Sequence, residues 1–349
     1  MSTDYGFIVN DLLDWYDKNA RELPWRNQSN PYFTWVSEIM LQQTRVEAVK
    51  GYFARFVKAF PTIKDLATAD PDQLLKLWEG LGYYNRVRNM QKAAITVVEQ
   101  YNGELPRDYH ALLKLSGIGT YTAGAIASIA YQIPVPAVDG NVLRVIKRLT
   151  GSYDDITLPK VKKELEEDML KIMPAKHSGD LNQALMDLGA TICIPNGKPN
   201  CEQCPLNKKC KAFQKNLTDE IPVKSSKKKR TIEEKTIFLL ECNGKYALHK
   251  RFDKGLLAGL WEFPNMNEAL SIEKLESILS EHGIHEYELE LLGPGKHIFS
   301  HVQWHMIGYR IHLPKHDFEW MEDLVWVTKD TIAKEYAIPT AFKAYTSQL

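Results

Sequence analysis

Four cysteines, Cys193, Cys201, Cys204 and Cys210, lie within 18 residues, separated by seven, two and five residues. Four thiolates so spaced can bind zinc or an iron–sulfur cluster. A chain of the cell interior rarely uses such an array for disulfides. Structural zinc more often takes two short Cys pairs. One two-residue gap flanked by longer ones favours [4Fe–4S], although spacing alone leaves the metal open. A second feature is Glu38, set among Trp35, Val36, Ile39, Met40 and Leu41. A carboxyl buried in such a helix loses hydration of its anion, its pKa rises, and it becomes a general acid near neutrality. If Glu38 lies on a polar face instead, it has no such role. A third is Leu112–Tyr131, where Gly117-Ile118-Gly119 joins an apolar segment to one rich in small residues. This is either a helix-hairpin-helix, whose backbone N–H groups grip a phosphate without reading sequence, or an ordinary helix–helix turn. Asp139, before Gly140 and Asn141, reads as a helix N-cap unless other motifs give it work.

These residues must be positioned by helices. Apolar residues at helical spacing mark residues 5–18 and 32–60. Helix starts are expected at Asp65 and at Asp70-Pro71, and further helices over 74–80, 85–101 and 108–115. Residues 216–231 are polar and end in Lys224-Ser-Ser-Lys-Lys-Lys-Arg230, which reads as a linker that is either solvated or in contact with phosphates. The period then changes. Residues 235–242 and 245–250 flank Asn243-Gly244 as a β-hairpin. Residues 271–282 read as a helix and 297–313 as strand.

The 349 residues suggest two domains. A 44% hydrophobic and 25% charged composition excludes a largely disordered, collagenous or coiled-coil chain. No apolar run is long enough for a membrane span. Met1–Asp14 carries three Asp and no Lys or Arg, so neither a secretory nor a transit peptide is expected and the cytoplasm is the expected compartment. Residues 1–230 hold 32 Lys+Arg against 26 Asp+Glu; the rest hold 12 against 18. The basic front part is the one suited to an anionic polymer.

Taken in order, LPWR (23–26), SEIMLQQT (37–44), GLGYYNR (80–86), LSGIGTYTAGA (115–125), VDGNVLRV (138–145) and the cysteine array resemble the endonuclease III superfamily of base-excision glycosylases. The likeness spans residues 5–215 and is greatest to its MutY-type adenine DNA glycosylases. The resemblance implies an all-α helix-hairpin-helix glycosylase domain with an iron–sulfur loop (1–215, cluster at about 190–212). A linker (216–231) and an α+β, Nudix-like C-terminal domain (232–349) that recognises 8-oxoguanine would follow. It implies that Glu38 protonates a flipped adenine, that Asp139 stabilises the ribosyl cation, and that Tyr121 and Asn141 line the same centre. Gln43 and Tyr83 would wedge into DNA beside 8-oxoguanine. Trp25, Arg26 and Leu81 would lie at the base pocket and lesion, Gly117 and Gly119 at a phosphate. Phe299, Ser300 and His301 match the loop that meets 8-oxoguanine, and Cys193, Cys201, Cys204 and Cys210 would hold [4Fe–4S]. The implied partner is double-stranded DNA with an adenine:8-oxoguanine mispair, bound by a monomer.

Position 121 is Tyr where relatives that also cut the strand carry Lys, whose amine forms a Schiff base. A monofunctional enzyme that leaves an abasic site is therefore expected. Gly255-Leu-Leu-Ala-Gly-Leu-Trp-Glu-Phe-Pro264 is Nudix-like, but no carboxylate cluster for Mg²⁺ follows, so binding rather than nucleotide hydrolysis is expected. His297, His301 and His305 recur every four residues, which reads as three unrelated histidines more readily than as a metal site. Two departures stand out: seven residues rather than the family's six between the first two cysteines, and Ser116 where Pro is common. A glycosylase for another base, a non-catalytic lesion sensor and a Nudix hydrolase with a helical adaptor are the competing readings.

Overall fold

A computed structural model describes residues 5–26, 30–225, 229–252, 254–316, 320 and 323–349. It divides into two compact units, Met1–Thr68 with Asn85–Ser226, and Ala69–Tyr84 with Lys227–Leu349.

The first unit is helical. Its Val9–Asn19 helix places Leu12 and Tyr16 against Val142, Ile146 and Leu149 of Gly140–Thr150 and Leu181, Leu185 and Leu188 of Ser178–Thr191. The pattern read over residues 32–60 is two helices, Pro31–Leu41 and Val46–Ala59. They part at Gln43, whose φ of 63° ends the first. Asn30 starts that helix by accepting from the Tyr32 N–H (2.9 Å) with Pro31 just inside. Arg86 closes it, one amino group donating to the carbonyls of Ile39 (2.5 Å) and Gln42 (2.7 Å). Asp65, read as a helix start, is instead the third residue of Ile63–Ala67, in a reciprocal capping box with Thr62. The expected 108–115 helix is a single turn, Tyr109–Leu112.

The stretch read as a linker is held to this unit over its first half. Ile221 is buried, and Arg148 donates to the carbonyls of Thr218 (2.8 Å) and Ile221 (2.7 Å). The centre of the basic run, residues 226–228, lies outside the described residues.

In the second unit, β1 (Thr231–Cys242), β2 (Lys245–Lys250), β3 (Trp261–Glu262), β4 (Asn265–Met266), β5 (Glu288–Ile298), β6 (Val302–His312) and β7 (Val325–Thr328) form a mixed sheet. Its path is β3-β2-β1-β6-β5, with β4 on β1 and β7 on β2. β1 runs parallel to β6 and the other pairs are antiparallel. β1 alternates faces. Ile237 and Leu239 meet Trp304, Phe342 and Tyr345, while Phe238 and Leu240 meet Leu275 and Leu279 of the Ile272–Glu281 helix. The Asn-Gly hairpin is present between β1 and β2. The strand read over 297–313 is instead the end of β5, a tight turn at Ser300-His301 closed by Phe299 N–H on Val302 O (2.9 Å), and β6.

Candidate active site and cysteine pocket

Glu38 sits on the inner face of Pro31–Leu41 with 6% of its surface exposed. Burial pushes its carboxyl up to about 7, against the opposing pull of the Tyr121 hydrogen bond and of Arg26. Tyr121, one residue inside the helix that begins after Gly119, donates its hydroxyl to Glu38 Oε2 and reaches Met186 Sδ at 3.9 Å. Its phenol is raised well above its ordinary value, by burial first and by Glu38 second.

Asp139 is the N-cap of Gly140–Thr150. Oδ1 accepts from the backbone of Asn141 (2.9 Å) and Val142 (2.8 Å), and Oδ2 from the Asn141 amide (2.7 Å). Burial raises its pKa and these three bonds oppose the rise. The N-cap reading and the functional reading of Asp139 are therefore compatible. Asn141 in turn accepts from Arg144 (2.9 Å), which also donates to the carbonyls of Gly189 (2.6 Å) and Cys193 (2.8 Å). Gly189 has no alternative there, since a Cβ would lie 2.6 Å from that of Asn141.

The hairpin turn is formed by Gly117 at φ 75° and by Gly119 as the cap of Thr120–Ala125. At Gly117 a Cβ would meet that of Asn89 at 2.7 Å, so both space and backbone demand glycine. Trp25 is buried edge-on to Phe53. Arg26 is engaged inward, donating to both oxygens of Asp187 (2.8 and 2.9 Å). Gln43 is exposed. In the second unit, Leu81 is buried and Tyr83 exposed, Phe299 packs on His297 and Trp304, and Ser300 and His301 form the exposed turn. His305 lies on β6 beside Gln303.

Asp187 is a residue that the motif reading missed. Fully buried, it accepts from Arg21 (2.6 and 2.8 Å) as well as Arg26. Burial alone would raise its pKa; Arg26 and then Arg21 outweigh it and hold the carboxyl below its ordinary range. The signal was the same as for Glu38, a carboxylate inside an apolar run, Ala184-Leu-Met-Asp-Leu188.

The four clustered cysteines line one pocket with Leu149, Leu188 and Ile192, and none of the four is in a disulfide. Arg148 donates to Cys193 Sγ (3.4 Å). Burial pushes the Cys204 thiol up to about 12 and raises those of Cys201 and Cys210, a cost that a bound cation would offset. Among the described residues no group of three or more His, Cys, Asp or Glu is set to hold a metal ion. No helix among them is long and apolar enough to cross a membrane.

Residues 36–172 match the HhH-GPD superfamily of base excision DNA repair proteins, and residues 236–348 match the NUDIX domain. The adenine DNA glycosylase of Arabidopsis thaliana is 38% identical over 84% of this chain and 55% of its own length. That of Mus musculus is 35% identical over 86% and 69%. One from Buchnera aphidicola subsp. Baizongia pistaciae is 38% identical over 83% and 82%. The chain thus spans about half the length of the plant relative and four fifths of the bacterial one. A thermostable thymine-DNA glycosylase superposes with a TM-score of 0.54 at 30% identity, over 60% of this chain and 96% of that one. Endonuclease III in a non-covalent DNA complex gives 0.52 at 27% identity, over 60% and 95%. With helical and Nudix-like parts both matched, the chain belongs to the adenine DNA glycosylase family of the HhH-GPD superfamily.

Proposed function

We propose that this protein is a monofunctional glycosylase of the bacterial cytosol that removes adenine paired with 8-oxoguanine, or with guanine, from double-stranded DNA. The observation that carries the reading is the buried Glu38, protonated near neutrality and held by Tyr121. Adenine is a poor leaving group as an anion, and protonation lets it depart as a neutral base. With Oε2 engaged by Tyr121, Oε1 carries the proton that Glu38 delivers to N7. Departure leaves positive charge on the sugar. Asp139, immobilised by three hydrogen bonds, is preorganised to stabilise that charge. The base must first leave the duplex, which costs a few kcal/mol. Gln43 and Tyr83 offset part of this by filling the gap. Gly117 and Gly119 hold a phosphate, and Phe299, Ser300 and His301 meet the 8-oxoguanine. Tyr121 offers no amine for a Schiff base, so the product is an abasic site in an intact strand.

Cys193, Cys201, Cys204 and Cys210 would hold a [4Fe–4S] cluster. They surround an apolar cavity beside the Arg148 guanidinium, and their spacing, one two-residue gap flanked by longer ones, favours a multi-iron group over a single zinc ion. When bound, such a group would supply the positive charge that lets four partly buried thiolates coexist. Residues 1–215 carry the excision chemistry, 216–231 connect, and 232–349 read the lesion.

A single-turnover assay on duplexes with adenine opposite 8-oxoguanine, guanine or thymine tests this, each sample split with and without alkali. The expected result is cleavage only after alkali and only at mispaired adenine. Cleavage without alkali would overturn the Tyr121 argument. No excision by protein with its iron intact would overturn the adenine reading.

A further inference from the structure

Residues 69–84 precede the helical hairpin in sequence yet group with the C-terminal sheet. The links are specific. Lys76, on the Pro71–Leu77 helix, donates its ammonium to the carbonyls of Ile332 (3.2 Å) and Tyr336 (2.9 Å). These lie at the C-terminal end of the Lys329–Glu335 helix, where a cation is favoured. Glu79 pairs with Lys76 (2.7 Å) and accepts from the Ile338 N–H (2.9 Å) through its other oxygen. With only 17% and 30% of their side chains exposed, the two form a partly desolvated, charge-assisted clasp. An exposed pair, Lys250–Asp72 (2.8 Å), adds little.

What the clasp holds is a tightly wound turn. Gly80, Gly82 and Tyr83 take φ of 94°, 69° and 47°. For Tyr83 that is a strained backbone, kept only where its surroundings impose it. Trp78, fully buried, donates from its indole to Gly82 O (3.1 Å) and anchors the turn. At its far end Tyr83 is half exposed, and its hydroxyl lies 3.1 Å from Ser300 Oγ. The two residues assigned to the lesion thus touch each other, each at the tip of a short turn.

We infer that Lys76 and Glu79 are positioning residues for lesion discrimination. They clamp the segment that carries Tyr83 to the C-terminal helices, so that the Tyr83 tip and the Ser300 turn meet an oxidised guanine as one rigid body. This deepens the function proposed above and rests on its 8-oxoguanine reading. Without the clasp the strained Tyr83 turn relaxes, and Ser300 alone faces the lesion. Chemistry at Glu38 is untouched, so adenine opposite guanine is excised as before.

The test compares single-turnover rates on adenine opposite 8-oxoguanine and opposite guanine, in the full chain with its iron intact. For Lys76→Met the ratio of the two rates should fall about tenfold, the equivalent of one charged hydrogen bond. Lys76→Arg, which keeps a cation and its donors, should restore most of it. An unchanged ratio, or an equal fall in both rates, would overturn the inference; the second would mean that the clasp is merely structural. Should Lys76→Met fail to fold, Glu79→Gln keeps the shape and carries the same test. Hydrogen exchange of the amides of residues 78–83 reads the clasp without substrate and should quicken in the variants. A wild-type protein indifferent to 8-oxoguanine would instead remove the reading on which this rests, while exchange still reported on the clasp.

Discussion

Glu38 and Asp187 are both buried carboxyls in the helical unit, and burial pushes both pKa values up. They end on opposite sides of their ordinary range. Glu38 has one neutral hydroxyl as its close partner and reaches about 7. Asp187 has two guanidiniums, donating through four side-chain bonds of 2.6–2.9 Å, and lies below the usual carboxylate range. Burial alone does not decide which way a carboxyl shifts. A cation within hydrogen-bond reach reverses the rise, and the non-helical stretch that carries Arg21 and Arg26 gives it to Asp187, leaving Glu38 only their weaker pull. Asp187 is a fastener that occupies Arg21 and Arg26, and so limits how far they can favour ionised Glu38.

The largest expected effect is on chemistry. Glu38→Gln removes the proton and keeps the shape, so excision should fall by about 10²–10⁴-fold while duplex binding persists. Single-turnover rates and a gel-shift titration check this, and wild-type excision would remove Glu38 from the mechanism. Next comes Asp187→Asn, which leaves two guanidiniums without their counter-charge. Because Arg21 and Arg26 are partly exposed, the loss of stability should be about 3 kcal/mol, the low end for breaking a buried pair. It would appear in denaturant unfolding. Since the Asp187 pKa is depressed, the stability that it contributes is present above its unfolded value and is lost on acidification. Asp187→Asn should therefore flatten the acid limb of stability against pH. An unchanged limb would mean that the cluster does not fasten the helical unit.

Much of this was legible in the residues. Helix caps carry their own chemistry, so Asp70 and Ser271 marked helix starts that the structure contains. Asn243-Gly244 marked its hairpin for the same reason, a turn that needs φ > 0 at both residues. Glu38 stood out because a charge in an apolar helix demands an explanation. What was hidden depended on contacts distant in sequence. Asp187 carries the same local signal, but its partners lie more than 160 residues away and no spacing rule connects them. The grouping of residues 69–84 with the C-terminal sheet was invisible for the same reason, since Lys76 bonds backbone carbonyls over 250 residues on, and carbonyls have no sequence signature. The end of the strand read over 297–313 was hidden differently: a two-residue turn without glycine leaves the apolar pattern nearly unbroken.

Glu38 should also cost stability, which sharpens the contrast with Asp187. A carboxyl with a raised native pKa binds its proton more tightly folded than unfolded. Stability therefore declines as pH climbs from about 4.5 to about 7, and the deficit is complete above that. At pH 8, Glu38→Gln should stabilise the protein by about 2–3 kcal/mol, and near pH 4 by almost nothing. Thermal unfolding at the two pH values reads the difference, and an equal effect at both would mean that Glu38 is not the strained group.

The smallest effect is the most diagnostic. If protonated Glu38 is the donor, the wild-type single-turnover rate should be level below pH 7 and fall about tenfold for each unit above it. Arg26 pulls the Glu38 pKa down only as strongly as its position allows, and that position is fixed by Asp187. In Asp187→Asn the two guanidiniums keep their full charge and lose the anion that offsets it. The alkaline limb should then move to lower pH, because extra positive charge near Glu38 favours its ionised form. A limb that moves to higher pH would mean that the arginines swing away from Glu38 once released, and that Asp187 holds them in place rather than limiting them. A limb that stays put would mean that the two carboxyls do not sense each other through the arginines, and the comparison between them would reduce to packing.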